Sequence, residues 1–401
     1  MAAIRPFRAL RPARDAAAAV SSVPYDVVST EEARQLAADN PLSFLHVTRS
    51  EIDLAPGTDP YSSEVYAKAR TNLESLRASA PLVSEDQPSL YFYRLRMGGH
   101  EQTGIAASFS VDQYEHDVIK KHERTRRDKE DDRTRHIIEL GAQTGVVFLT
   151  YRCSDDIDRL CRAVTADAPL YDFRADDGVH HTIWKVRAHE STALVDAFSR
   201  VPALYIADGH HRAASAARAR AEKRTPESDW FIAVAFPSDQ VHILPYNRTV
   251  KDLAGQTPEA FLAALGARVP VREGAATPRG KGEVGMFLAG RWYSLDLSAA
   301  APADPTRASS LDVARLQQHV LEPFLKIGDV RTDKRIDFVG GARGTAALEA
   351  AVTGGKAAVA FSMHPVTIDD LMAISDEGGI MPPKSTWFEP KLRDGLLIHT
   401  I

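Results

Sequence analysis

Cysteine is almost missing from this chain: Cys153 and Cys161 are the two in 401 residues. They form no CxxC pair and have no histidine at metal-ligand spacing, which argues against a structural zinc centre and a disulfide framework. Free, buried thiols in a reducing compartment are expected, and with them a cytoplasmic protein. Long apolar runs are missing too. No stretch approaches the roughly 18 uninterrupted apolar residues of a membrane span, so no membrane partner is expected. Surplus positive charge is also lacking, since 49 Lys and Arg face 54 Asp and Glu for a net charge of −5. That balance offers no general field for a nucleic-acid backbone. Residues 1–26 are rich in Arg and Ala but have no apolar h-region, and Pro6 and Pro12 break any amphipathic helix. They are read as part of the fold rather than as a targeting segment. Several catalytic signatures are absent: GxxxxGK[ST], GxGxxG with an acidic ribose ligand, GxSxG and HExxH.

What remains is the composition of an ordinary globular protein, 44% hydrophobic and 26% charged, long enough for two or three lobes. The pattern predicts an α+β fold. Ser29 with Glu32 makes a capping box for a helix that stops at Asn40-Pro41, and a short strand is expected over 43–47. An amphipathic helix over 62–78 presents Val65, Ala69, Leu73 and Leu76. A hairpin over 89–110 turns at Gly98-Gly99. The charged run 116–139 reads as a solvated helix face or a binding segment, with poor apolar spacing until Ile137. Strands are expected at 146–151, 180–186, 230–237 and 241–244. A core over 1–250 is followed by a small α+β insertion at 251–300, with short strands at 283–288 and 291–297. Residues 298–309 read as a linker by composition. Residues 301–401 then complete the core, including helices at 311–325 and 368–376. The last twenty residues carry Trp387, Phe388, Leu392, Leu396 and Leu397 among Lys384, Ser385, Thr386 and Lys391.

The chemistry concentrates at residues 204–212, LYIADGHHR, followed by the Ala-rich AASAARARAEKR. An apolar strand, a turn at Gly209 and a helix start bring unpaired N–H groups and the positive helix end to one point. His210, His211 and Arg212 stand there with Asp208, a combination suited to a phosphate-bearing ligand. Three more polar groups accompany it: Pro24-Tyr25-Asp26, His122-Glu123-Arg124-Thr125 with residues 129–133, and Lys384-Ser385-Thr386. Phosphoryl transfer needs cations and N–H donors for the phosphates, a carboxylate for Mg2+ and another group to orient the attacking hydroxyl. These groups supply each.

Five stretches carry a family resemblance: VPYDVVS at 23–29, ADNPLSFLHVTR at 38–49, KHERT at 121–125, YIADGHHR at 205–212 and MPPKSTWFEPKLRDGL at 381–396. In these the chain resembles, over nearly its whole length, a bacterial and archaeal family of unknown function. That family looks related to the SerK-like free serine kinases of the ParB/sulfiredoxin superfamily. The resemblance implies a ParB/sulfiredoxin-like mixed-sheet core with DGHHR at a strand–helix junction, plus added α+β lobes. It implies that Asp208 to Arg212 bind nucleotide phosphates, with Asp208 near the reacting phosphoryl group and the metal. The kinases' glutamate comes from an N-terminal segment, for which Asp26, Glu51 and Glu123 are all candidates here.

The expected activity is therefore an ATP- or ADP-dependent, Mg2+-assisted kinase for the hydroxyl of a small metabolite, free L-serine first among acceptors. Gly209 allows close backbone approach, while His210, His211 and Arg212 neutralise phosphate charge. Asp208 holds Mg2+ or orients the hydroxyl, and Asp26 or Glu123 acts as base. His122, Arg124, Thr125, Lys384, Ser385 and Thr386 add phosphate contacts. Nucleotide and a serine-like metabolite are the expected partners, and a homodimer is allowed. The alternative is a ParB-like switch that binds and slowly hydrolyses nucleotide without a small-molecule acceptor.

Overall fold

A computed structural model describes residues 1–79, 82–298 and 306–401. Most of the expected linker, 299–305, lies outside the described residues. The chain is a mixed α+β protein of two compact units. The first comprises Met1–Lys121, Thr125–Val241 and Pro390–Ile401, and the second comprises His122–Arg124 and His242–Glu389.

The first unit is built on a nine-stranded sheet. Its strand order is Ile119–Lys120, Leu204–Asp208, Val147–Tyr151, Trp230–Pro237, His100–Ser110, Tyr91–Met97, His180–Lys185 and Tyr171–Arg174, with Ile4–Arg5 pairing His100–Ser110. The expected hairpin forms between Tyr91–Met97 and His100–Ser110, with Gly98 at φ +58° in the turn. Leu204–Asp208 runs parallel to Ile119–Lys120 and antiparallel to Val147–Tyr151, so the sheet is mixed. Its apolar residues, Leu204 and Ile206, are fully buried in the main core with Val147, Leu149 and Ala233. Ile398–Thr400 joins a four-stranded sheet between Ala9–Arg11 and Ala142–Gln143, which ties the end of the chain to its beginning.

The second unit holds a six-stranded antiparallel sheet ordered Val271–Glu273, Arg291–Asp296, Glu283–Leu288, Val359–Ser362, Tyr246–Val250 and Ile336–Gly340. The stretch expected as a separate insertion thus shares its sheet with strands from beyond residue 330. Those pairings are long-range in sequence, and local composition carries no sign of them. A two-stranded ribbon of His242–Leu244 and Trp387–Glu389 completes the unit. Gly340 lies against the Trp387 ring, where an added Cβ would come within 2.6 Å of it.

Some local expectations are corrected. Residues 43–47 form no strand: Leu45–Thr48 is a helical turn that runs into the 3-10 turn Ser50–Asp53. A short apolar run has no period long enough to separate the two. The charged run resolves into the helix Arg127–Leu140, whose buried positions are Asp132, Thr134, His136 and Ile137. Its apolar spacing is poor because three of those four inward residues are polar. Cys153 is exposed rather than buried, and both thiols are free. Among the described residues, no helix is long and apolar enough to cross a membrane.

Candidate functional site

Residues 204–223 fold as strand, turn and helix, with the strand Leu204–Asp208 and the helix His210–Lys223. Two local devices aim the junction. The ladder with Val147–Tyr151 shifts register between Ile206 and Asp208, the kind of irregularity that re-aims a side chain at a strand end. Gly209 then sits at φ +92°, a conformation unfavourable for a side chain, and a Cβ there would lie 3.3 Å from Arg212 Cδ. The helix follows because alanine has the strongest helix propensity and leaves room for close packing. Ala213, Ala216 and Ala219 are buried, and Ser215 Oγ donates to the Glu130 carbonyl of the helix Arg127–Leu140 at 3.2 Å.

Around the junction the first unit gathers two ion pairs. Asp208 Oδ1 accepts from Gly209 N–H at 3.0 Å, and Oδ2 meets Lys391 Nζ at 3.1 Å. Burial opposes ionisation of Asp208, but Lys391, Arg212 and His210 outweigh it and hold the carboxyl well below its usual range. Asp208 is thus a fixed anion at the positive end of a helix.

Arg212 is only 6% exposed. Its Nη2 donates to both Asp26 oxygens at 2.8 and 2.9 Å, and its Nη1 donates to the Val146 carbonyl at 2.8 Å. Burial would lower the guanidinium's pKa, yet Asp26, Asp208 and Asp394 raise it, so it stays charged. Tyr25 lies against it, 5.7 Å from the ring centroid to the guanidinium carbon, and Arg133 packs on the same ring at 4.1 Å. A cavity of about 20 Å3 lined by Tyr25, Arg133, Gly145 and Arg212 adjoins this cluster.

Asp394 closes the group. It is fully buried, its Oδ2 has no hydrogen-bond partner among the described residues, and its backbone bridges to Ser22. Burial and the Asp26 charge push its carboxyl up to about 7, against the pull of Arg212 and Arg133. A raised carboxyl pKa contributes stability that is present below the unfolded value of 3.8 and is lost as pH rises through about 7. Asp394→Asn should therefore flatten the fall in thermal stability between pH 4 and 8. Melting curves across that range check this, and an unchanged slope would remove Asp394 from the account.

The other expected site residues are placed as follows. His211 Nε2 accepts from Arg126 N–H at 3.0 Å, which puts the ring proton on Nδ1. His210 is buried, and Thr125 donates its hydroxyl to Glu130. In the second unit, His122 is 1% exposed and its carbonyl accepts from Met381 N–H at 2.8 Å. Thr386 Oγ1 lies 3.5 Å from His122 Nε2, and Ser385 Oγ donates to the Pro382 carbonyl at 2.5 Å. Lys384 holds φ +58°, and its carbonyl accepts from Arg248 Nη2 at 2.9 Å. Burial drives the Arg248 guanidinium down to about 10. Glu123 and Arg124 belong to the same unit. Asp26, Asp208 and Arg212 are thus brought together in the first unit. Lys384, Ser385, Thr386 and His122 are brought together in the second.

Sequence reasoning passed over Lys391, Asp394 and Arg248 as site members, and named Arg133 only within the charged group 129–133. The one available signal was position: Lys391 and Asp394 sit inside the quoted C-terminal stretch, ten residues or fewer from Lys384.

Residues 4–314 match the model of a family described as protein of unknown function, DUF1015. The chain belongs to this family. No curated protein matches the chain. Among solved structures, it is similar to a C-terminally truncated SbnI from Staphylococcus aureus, at 12% identity and TM-score 0.40 over 72% of this chain and 85% of that one. A free serine kinase in complex with AMP gives 12% identity and TM-score 0.38, over 73% of this chain and 91% of that one. A conserved hypothetical protein from Pyrococcus furiosus gives 12% and 0.38, over 73% and 94%. The kinase activity and the bound AMP are properties of that protein.

Proposed function

We propose that this DUF1015 protein is a nucleotide-dependent phosphotransferase acting on the hydroxyl of a small metabolite, with free L-serine the first acceptor to test. A ParB/sulfiredoxin-like descent of its sheet belongs to the same proposal. The observation that carries it is the Asp208–Lys391 pair at the start of the helix His210–Lys223, electrostatically coupled to Arg212. A fixed carboxylate, an ammonium and helix N–H donors together are what a transferring phosphoryl group needs around it.

In this reading ATP or ADP lays its phosphates on the helix start, where His210, His211 and Gly209 contribute and Lys391 adds positive charge. Arg212, buried on Asp26, acts by holding that carboxylate, and Asp26 orients the acceptor hydroxyl. Orientation carries more of such a transfer than proton removal. Asp208 is the carboxylate that would hold a magnesium ion beside the phosphates. The ion would neutralise charge developing on the phosphates. In the second unit, His122, Glu123, Arg124, Lys384, Ser385 and Thr386 are the next residues to test for nucleotide contact.

Purified protein with Mg2+, ATP or ADP, and a panel of hydroxyl amino acids and hydroxy acids should give a phosphorylated acceptor by phosphorus NMR. No transfer combined with no nucleotide binding would sink the reading. Slow hydrolysis with no acceptor requirement would favour a nucleotide switch instead.

A further inference from the structure

A second cavity in the first unit, about 50 Å3, is lined by Arg49, Glu51, Tyr61, Lys129, Asp132 and Arg133 among others. Roughly 10–15 Å3 of such space holds one water, so the cavity takes a few water-sized groups, the scale of a three-carbon metabolite. Tyr25, Arg133 and His136 line both this cavity and the smaller one beside Arg212.

Its charges do not cancel. Asp132 is matched by Arg133 at 2.8 Å and by the Tyr66 hydroxyl at 2.7 Å. Glu51, 5% exposed, uses Oε1 to accept from Thr30 at 3.1 Å and to pair with Arg49 at 3.1 Å. Lys129 has no carboxylate within 4 Å among the described residues. Its Nζ donates to the Tyr61 hydroxyl at 2.6 Å and lies 5.3 Å from that ring's centroid. Arg49 Nε makes no hydrogen bond among the described residues and is closed to solvent, 3.1 Å from Glu51 Oε1, so the guanidinium meets the cavity through its other atoms. The wall therefore offers one ammonium, Lys129, with no carboxylate within 4 Å among the described residues, and beside it the Arg49 guanidinium. It also offers Glu51 Oε2, which accepts from no donor among the described residues. His136, held neutral by burial and by Arg133 with its Nε2 donating to the Val47 carbonyl at 3.0 Å, adds no charge.

We propose that this cavity binds a small carboxylic acid bearing a hydroxyl or ammonium on the neighbouring carbon. Its carboxylate meets Lys129 and Arg49, and its donor group meets Glu51 Oε2. An acid complements the surplus cation, and a donor answers the open carboxylate oxygen. Naming the acid as the phosphoryl acceptor rests on the phosphotransferase reading; the binding itself does not.

The test is calorimetric titration of the full chain, without nucleotide, against L-serine, glycerate and L-serinamide, which lacks the carboxylate. Both acids should bind at least tenfold more tightly than the amide. Lys129→Met should lose at least tenfold in acid affinity, and Lys129→Arg should keep most of it. Lys129 is partly exposed, so its variants should fold, and melting curves confirm that. No acid binding, equal binding of the amide, or full affinity in Lys129→Met would each overturn the proposal. Nucleotide binding and phosphoryl transfer are measured on the same samples. Acid binding with no transfer would sink the phosphotransferase reading alone. Transfer to an acceptor whose affinity ignores Lys129 would sink this site alone.

Discussion

Arg212→Met should destabilise the protein by about 3 kcal/mol, read as a lower midpoint in urea denaturation with little change in slope. Breaking a buried ion pair typically costs about 3–5 kcal/mol because the surviving charge keeps its desolvation penalty without its partner. The lower end applies because Asp26 is 38% exposed while Arg212 is 5% exposed at its side chain. Arg212 also satisfies the Val146 carbonyl, and methionine leaves that acceptor unanswered. Arg212→Lys should recover only part of the loss, since an ammonium cannot reach Asp26 and Val146 with the geometry of a fork. A double-mutant cycle with Asp26→Asn isolates the pair. Additive losses would mean that the Asp26 pair contributes nothing and that Arg212 acts through the Val146 bond and its packing.

The junction itself was legible in the sequence because it is local. Four largely apolar residues, Gly209 and an Ala-rich run occupy consecutive positions, and each dictates its own backbone state. The same holds for the hairpin at Gly98-Gly99 and for the helix Ser63–Ser79, whose buried Val65, Ala69, Leu73 and Leu76 are the residues the period singled out. What was not legible is which charges meet. Arg212 and Asp26 are 186 positions apart, and Asp208 and Lys391 are 183 apart. No period or cap encodes such a pair. The short helical turn Leu45–Thr48 was misread for the opposite reason, since four residues carry too little pattern to choose a period. Arg212 shows how a residue type can suggest the wrong environment. A basic side chain after two histidines suggests a surface cation, yet position 212 faces inward, where Asp26 and Asp394 from far along the chain join Asp208 and the Val146 carbonyl in offsetting its burial.

The second large effect concerns Lys391. Lys391→Met should lower the rate of phosphoryl transfer, as kcat/KM for the best acceptor, by about 10²–10³-fold, the size expected when one preorganised charged donor is removed from a site of developing negative charge. The loss should appear at saturating nucleotide as well as at low nucleotide, because the ammonium acts on charge that grows during transfer. A second readout separates this from simple structural damage. Lys391 is the strongest of the charges holding Asp208 well below its usual range, so without it the Asp208 pKa rises. If ionised Asp208 is required, the acidic limb of the pH–rate profile then moves to higher pH. Lys391→Arg keeps the charge and should restore most of the rate along with the original acidic limb. The Lys391 side chain is 14% exposed against 29% for Asp208, so melting curves taken beside the rates confirm that the methionine variant is folded. A Lys391→Met protein with unchanged kcat/KM would remove the Asp208–Lys391 pair from the reaction and leave it a structural clasp between the strand end and the C-terminal segment.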